Sequence, residues 1–192
     1  MNKFLYKIKH KKKVCLIVII TIIVSVSGIV TGTSFPGKNN PPAFLPEFTQ
    51  VDPAAWINSK PLSIKDLRGK VLLVDIWTFG CWNCYRSFPW LRGVEEKFAN
   101  QDFQVIGIHT PEFEREKKRE NVVKKVQEFM LHHPVMIDND FAYWNTLNNR
   151  YWPTYYIVDK RGNIRDVFVG ETHEGDARAE AIETLIAKLL QE

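Results

Sequence analysis

Cysteine is scarce in this chain: 192 residues hold three, Cys15, Cys81 and Cys84. That scarcity excludes two classes. A fold stapled by a disulfide framework needs several pairs, so this core must be hydrophobic. A structural zinc site needs a second C-x-x-C or a Cys/His pair, and Cys15 lies far off in an apolar stretch. The adjacent His132 and His133 would diverge on a helix, and Pro134 follows them, so no metal and no other cofactor is expected. Asp138-Asn139-Asp140 lacks the glycine and distal glutamate of a calcium loop and reads as a helix cap. Positive charge is missing where a nucleic-acid binder would carry it. The formal net charge is +4, and taking away Lys3, Lys7, Lys9, Lys11, Lys12 and Lys13 leaves −2 for everything after residue 13. No nucleic-acid partner is expected. Internal repeats and low-complexity segments are absent from the sequence as well.

Charge of either sign is lacking from Val14 to Val30. At ~1.5 Å per residue these seventeen residues span about 26 Å of helix, enough for a bilayer core. The lysines before them place residues 1–13 in the cytoplasm. Residues 14–30 therefore read as a single-pass plasma-membrane anchor, with the rest of the chain extracytoplasmic. The alternative is a cleaved signal peptide, with Ser25, Ser27 and Gly28 near the cleavage site; it gives the same side of the membrane. Cys15 is apolar filler in that stretch. Residues 31–43, rich in Gly, Pro, Asn, Ser and Thr, read as a linker. Residues 44–192 are the size of one domain.

What is present in that domain is an alternation of strands and helices. Val71–Trp77 and Phe103–His109 are apolar, β-branched runs that read as buried strands, Val135–Ile137 as a short one. Thr154–Asp159 and Ile164–Val169 form a hairpin around Lys160-Arg161-Gly162-Asn163. The pattern predicts helices over Trp82–Phe98, Phe113–Leu131, Phe141–Leu147 and Asp176–Leu190. In the second, Val122, Val126, Phe129 and Met130 form the apolar stripe, and the charged run Glu112–Glu120 reads as a solvated face. The order predicts an α/β layered fold with a central mixed sheet flanked by helices.

Cys81-Trp82-Asn83-Cys84 falls at the turn from the first buried strand into the first helix. A thiolate at a helix N-terminus is stabilised by unpaired backbone N–H groups. A second thiol one turn on can resolve the mixed disulfide that the first one forms. A structural disulfide is the alternative, but a bridge closing so short a loop constrains the unfolded chain little. Asp75, set in an apolar strand, is a candidate proton acceptor for Cys84, because burial raises a carboxyl pKa; the alternative is a strand-end acid paired with Lys70. Trp82 and Trp152, with Trp77, are candidates to surround the thiols and receive a partner's polypeptide. Arg86 and His109 are weaker candidates near the site.

Four features together resemble the thioredoxin-like superfamily: Cys81-x-x-Cys84 after an apolar strand, Asp75 six residues before Cys81, Pro89 five after Cys84, and Trp152-Pro153-Thr154. The segment from Pro61-Leu62 to Lys70, then Val74 to Cys81, resembles the membrane-tethered TlpA/ResA-like branch. Ile108–Phe113, Pro134–Asp140 and Asn149–Pro153 are most similar to the thioredoxin-like domain of DipZ-type proteins. The resemblance implies a thioredoxin-like fold, Cys81 as nucleophile, Cys84 as resolving thiol, and Pro153 as a cis-proline facing the sulfurs. It places Trp82, Trp152 and Thr154 at the substrate. It implies a thiol–disulfide oxidoreductase acting on protein thiols and disulfides, favoured in the reducing direction and fed by a membrane electron donor. Two rivals stand beside it. Thr78-Phe79-Gly80-Cys81 matches the T-x-x-C of a peroxiredoxin, with Val74 where the proline would stand. A binding module using the Trp-lined face without redox chemistry is the other.

Overall fold

The computed structural model describes residues 41–192. The expected cytoplasmic segment, the anchor over 14–30 with its signal-peptide alternative, and nearly all of the linker lie outside the described residues. Among the described residues, no helix is long and apolar enough to cross a membrane.

Six strands form one mixed sheet: β1 (Trp56–Ile57), β2 (Val71–Trp77), β3 (Phe103–His109), β4 (Val135–Ile137), β5 (Thr154–Val158) and β6 (Ile164–Val169), in the order β1-β4-β3-β2-β5-β6. β2, β3 and β4 run parallel, while β5, β6 and β1 run antiparallel to their neighbours. The helices are α1 (Trp82–Phe98), α2 (Arg119–Glu128), α3 (Ala142–Thr146) and α4 (Ala177–Gln191). Every residue of β2 is buried, as a strand covered on both faces must be, which is why it reads as a continuous apolar run. Leu73, Trp77 and Val105 pack beneath α1, α2 and α4 through Phe88, Leu91, Val126, Ile182 and Ile186. On the other face Leu72, Val74, Ile76 and Ile108 meet Phe48, Trp56, Tyr143 and Leu147. Each such aliphatic or aromatic side chain contributes about 1.5–3 kcal/mol when fully buried.

The second helix is shorter than its charge pattern predicts. Instead of one helix over 113–131 there is a tight turn at Glu114–Glu116, then α2 over Arg119–Glu128. Lys118 is extended at the N-terminus of α2 and Met130 takes φ +54 beyond its end. Met130, expected on the apolar stripe, is therefore exposed, while Val122, Val126 and Phe129 are buried. His132 and His133 follow the helix rather than sit on it: His132 is exposed and His133 buried. The acidic cluster caps α3 as the sequence implies, with Asp138 accepting from the N–H groups of Tyr143 and Trp144 at 2.9 Å each.

The domain has two poles. Residues preceding β2 meet the β5–β6 turn, where Gly69 N–H donates to the Lys160 carbonyl at 2.9 Å. The incoming chain docks on the same turn: Leu45 N–H donates to the Gly162 carbonyl and Ile164 N–H to the Ala43 carbonyl, both at 2.9 Å. The other end of β2 runs into the cysteine loop.

Candidate active site

Cys81 caps α1. It is extended (φ −80, ψ 112), and its Sγ accepts the backbone N–H of Cys84 at 3.2 Å. The helix thus presents an orphan donor directly to sulfur, which favours a thiolate there. Cys81 is half-buried, Cys84 is 1% exposed, and the two are joined as a disulfide with their Cα atoms 5.3 Å apart. Only one sulfur of the pair is open to a partner.

Register places the cis-proline loop beside them. Ile76 near the end of β2 pairs with Thr154 at the start of β5, so Trp152-Pro153 sits at the same end of the sheet as the cysteine loop. The Trp152–Pro153 bond is cis, as the resemblance implies. The Trp152 indole donates to the Thr110 carbonyl at 3.1 Å and its ring lies 4.3 Å from that of Trp144. The three tryptophans do not gather into one cluster. Trp77 is fully buried against Phe88 and His109, whereas Trp82 is 66% exposed and stacks on Tyr85. Thr154 is also placed differently from the expectation: its hydroxyl turns inward to the Tyr151 carbonyl at 2.8 Å and offers a partner no side-chain surface. A shallow cleft of about 300 Å³ opens beside Cys81, lined among others by Trp82, Tyr85, Lys125 and Phe129. Arg86 spends its charge on Glu171 at 3.0 Å.

Asp75 is 1% exposed and its Oδ1 has no protein partner. It is not paired with Lys70. Burial, and secondarily the charge of Glu95, raises its carboxyl well above the usual carboxylate range.

Glu116 is the residue that the charge pattern conceals. It lies within the run read as a solvated face, yet it has no solvent exposure. Its Oε2 accepts from the Thr78 hydroxyl at 2.5 Å and from the N–H groups of Glu112 and Phe113 at 2.7 and 3.2 Å. Its Oε1 sits against Gly80, where an added Cβ would come within 1.9 Å. A carboxylate so close demands glycine immediately before Cys81. His109, the other buried group here, contacts Thr78 Oγ1 through Nε2 at 3.4 Å. Burial depresses its pKa to about 3, so the ring is neutral.

These features have recognisable relatives. The Redoxin family pattern matches residues 39–185. The chain belongs to the Redoxin family. It is 39% identical over 140 residues to DipZ of Mycobacterium tuberculosis, covering 71% of this chain and 19% of that protein. It therefore spans about a fifth of the length of the DipZ proteins it matches. It is 26% identical over 126 residues to the thiol-disulfide oxidoreductase YkuV of Bacillus subtilis, covering 66% of this chain and 83% of that one. A solved thiol:disulfide interchange protein of Chlorobium tepidum superposes with a TM-score of 0.61 at 22% identity, covering 80% of this chain and 98% of its own. The fold is thioredoxin-like, within the TlpA/ResA-like branch, and Cys81 and Cys84 are paired as a C-x-x-C disulfide.

Proposed function

We propose that this chain is a thiol–disulfide oxidoreductase, tethered to the plasma membrane by residues 14–30, that reduces protein disulfides outside the cytoplasm. The observation that carries the chemistry is the asymmetry of the pair: a half-exposed Cys81 sulfur bonded by the helix N-terminus, and a buried Cys84 behind it. In the reduced protein the Cys81 thiolate attacks a substrate disulfide, forming a mixed disulfide and releasing one substrate thiolate. Asp75 takes the proton of Cys84. The Cys84 thiolate attacks Cys81 Sγ, the second substrate thiolate leaves, and the Cys81–Cys84 disulfide remains. Two electrons have moved to the substrate, and a membrane dithiol donor returns them.

The outward location rests on the lysines before residue 14 and the uncharged run to Val30. Trp82 and the cleft beside it supply apolar surface for the substrate polypeptide. A peroxidase needs a hydrogen-bond donor at the peroxide. The Thr78 hydroxyl has one hydrogen and gives it to Glu116, which counts against that reading. An insulin-disulfide reduction assay run beside a peroxide-consumption assay is the test. Reduction of insulin without peroxide turnover is expected; peroxide turnover alone, or neither activity, overturns the reading.

A further inference from the structure

The apolar surface beside Cys81 does not stop at its cleft. Trp82 stacks on Tyr85 at 5.3 Å, Tyr85 meets Phe129 at 5.3 Å, and Phe129 meets Phe88 at 5.2 Å. Tyr85 and Phe129 are walls of the Cys81 cleft and also of a second cavity, of about 320 Å³. Tyr85, Pro89 and Arg92, at helical spacing, line this second cavity from α1, and Phe129 and Met130 line it from the end of α2. The two cavities form one trough that starts at the sulfur. It lies on the α2 side of α1, whereas the cis-proline loop leads into β5, across β2 from β3.

Met130 stands in this wall against the preference of its own backbone. Its N–H donates to the Gln127 carbonyl at 3.1 Å and the Leu131 N–H to the Val126 carbonyl at 3.0 Å, the pair of bonds that closes a helix around one left-handed residue. Met130 is that residue, with φ +54. Glycine is the usual occupant, because a Cβ there crowds the following carbonyl. The methionine side chain is 53% exposed and belongs to neither apolar core. The fold gains nothing from it that glycine would not give. The trough gains an adaptable thioether wall.

We propose, resting on the oxidoreductase reading, that this trough binds the substrate as an extended polypeptide and seats an aromatic or aliphatic side chain about three residues from the cysteine that Cys81 attacks. Continuity with the sulfur decides the occupant: whatever is bonded to Cys81 in the mixed disulfide has its neighbouring residues at the mouth of the trough. The length matches. From Cys81 to Arg92, eleven residues on, α1 rises about 16 Å at ~1.5 Å per residue. Five residues of extended chain cover that distance at ~3.3 Å each, and the third of them reaches the middle, between Tyr85 and Pro89. The charges match as well. Lys125 is paired with Glu128 at 2.8 Å and Arg86 with Glu171 at 3.0 Å, so the rim is neutralised and the trough selects an apolar segment. An extended segment with apolar side chains turned outward belongs to a chain that has not folded. The substrate class is therefore an unfolded polypeptide with an apolar residue near its oxidised cysteine.

The test uses the reduced full chain and synthetic peptides whose single cysteine is joined to a coloured aromatic thiol. The aromatic thiolate is the better leaving group, so Cys81 attacks the peptide sulfur, the peptide stays on Cys81 and one coloured thiolate leaves. Two peptides carry phenylalanine three residues before or three residues after the cysteine, and a third carries serine at both places. Below saturation, the better phenylalanine peptide is expected to react about tenfold faster than the serine peptide, the factor that partial burial of an aromatic side chain supplies. In Met130→Gly and in Tyr85→Ala this ratio should fall to about two. Met130→Gly should also melt no lower than the parent, since its backbone suits glycine, and this separates lost recognition from lost fold. Tyr85→Ala decides if Met130→Gly melts lower. A parent ratio near one, or an unchanged ratio in either variant that keeps its melting temperature, overturns the trough. So does a ratio that falls instead in Tyr151→Ala, a change at an exposed ring next to the cis-proline loop. A parent chain that releases no thiolate from any peptide overturns the oxidoreductase reading instead.

Discussion

Thr78 gives its only hydroxyl hydrogen to Glu116 at 2.5 Å, and this single bond ties the end of β2 to the turn ahead of α2. The loop carrying Cys81 is thereby held from below by a carboxylate and from ahead by a helix. Thr78 can then only accept from His109, which places the proton of that neutral ring on Nε2. Removing the carboxylate leaves a buried donor at Thr78 and part-buried ones at Glu112 and Phe113. Glu116→Ala is expected to cost about 3 kcal/mol, read by urea unfolding. An effect under about 0.5 kcal/mol, the usual size at unconstrained surface sites, would mean the turn stands without it.

Gly80→Ala tests the same contact from the other side. Its Cβ would collide with a carboxylate that three hydrogen bonds hold in place. A loss of about 2 kcal/mol is expected. In a Glu116→Ala background the same change should cost far less, because only the Phe113 ring, at 3.3 Å, still crowds the added Cβ. Additive losses in the double variant would place the strain elsewhere.

The two sulfurs should behave unequally. Cys84→Ser should accumulate mixed disulfides on Cys81, since the resolving thiol is lost. Cys81→Ser should accumulate none, with Cys84 1% exposed. Non-reducing gels of both variants after exposure to a protein disulfide read this directly, and equal trapping reverses the assignment.

Asp75→Asn separates the two half-reactions. Attack by Cys81 should survive, and resolution should slow about 10²-fold, the lower end for loss of a general base. The stability effect has a defined sign. Unfolded, Asp75 titrates near 3.8, and folded its pKa is raised well above that. Its contribution is therefore fully present below pH 3.8 and is lost as the pH rises through the folded value. The variant lacks this loss, so it should match the parent in acid and exceed it at higher pH. Thermal melts across pH check this; a variant less stable at high pH would refute an uncompensated buried carboxyl.

Removing residues 1–42 should leave a domain that unfolds cooperatively and cycles between dithiol and disulfide. The cut keeps Ala43, whose carbonyl accepts from Ile164, and the Leu45 contact to Gly162. A fragment that aggregates without a cooperative transition would move the boundary.

The strands β2, β3 and β4 and helix α1 begin and end where the apolar runs do, because each is bounded by turn residues and filled by one kind of burial. The cysteine pair and Asp75 were legible for the same reason: each interrupts an apolar run. Glu116 was not, since its burial depends on Thr78, 38 residues away, and a local charge pattern carries no trace of that partner. The split of the second helix follows from the same side chain, which bonds the N–H groups of Glu112 and Phe113 into a separate turn. His133 was hidden likewise, its partner Glu95 being 38 residues back. Gly107 did leave a signal, a lone glycine inside Phe103–His109, which marks the close approach of Trp77, His133 and Val135 without naming them.

The chain enters this domain at the β5–β6 turn, and the sulfurs lie past the far end of β2. Seven residues of strand, at ~3.3 Å each, separate the two by about 20 Å. A domain held at Ala43 is thus gripped at the heel and works at the toe. A bead or a sensor chip fixed to that point stands at the opposite end of β2 from Cys81 and leaves its approach open.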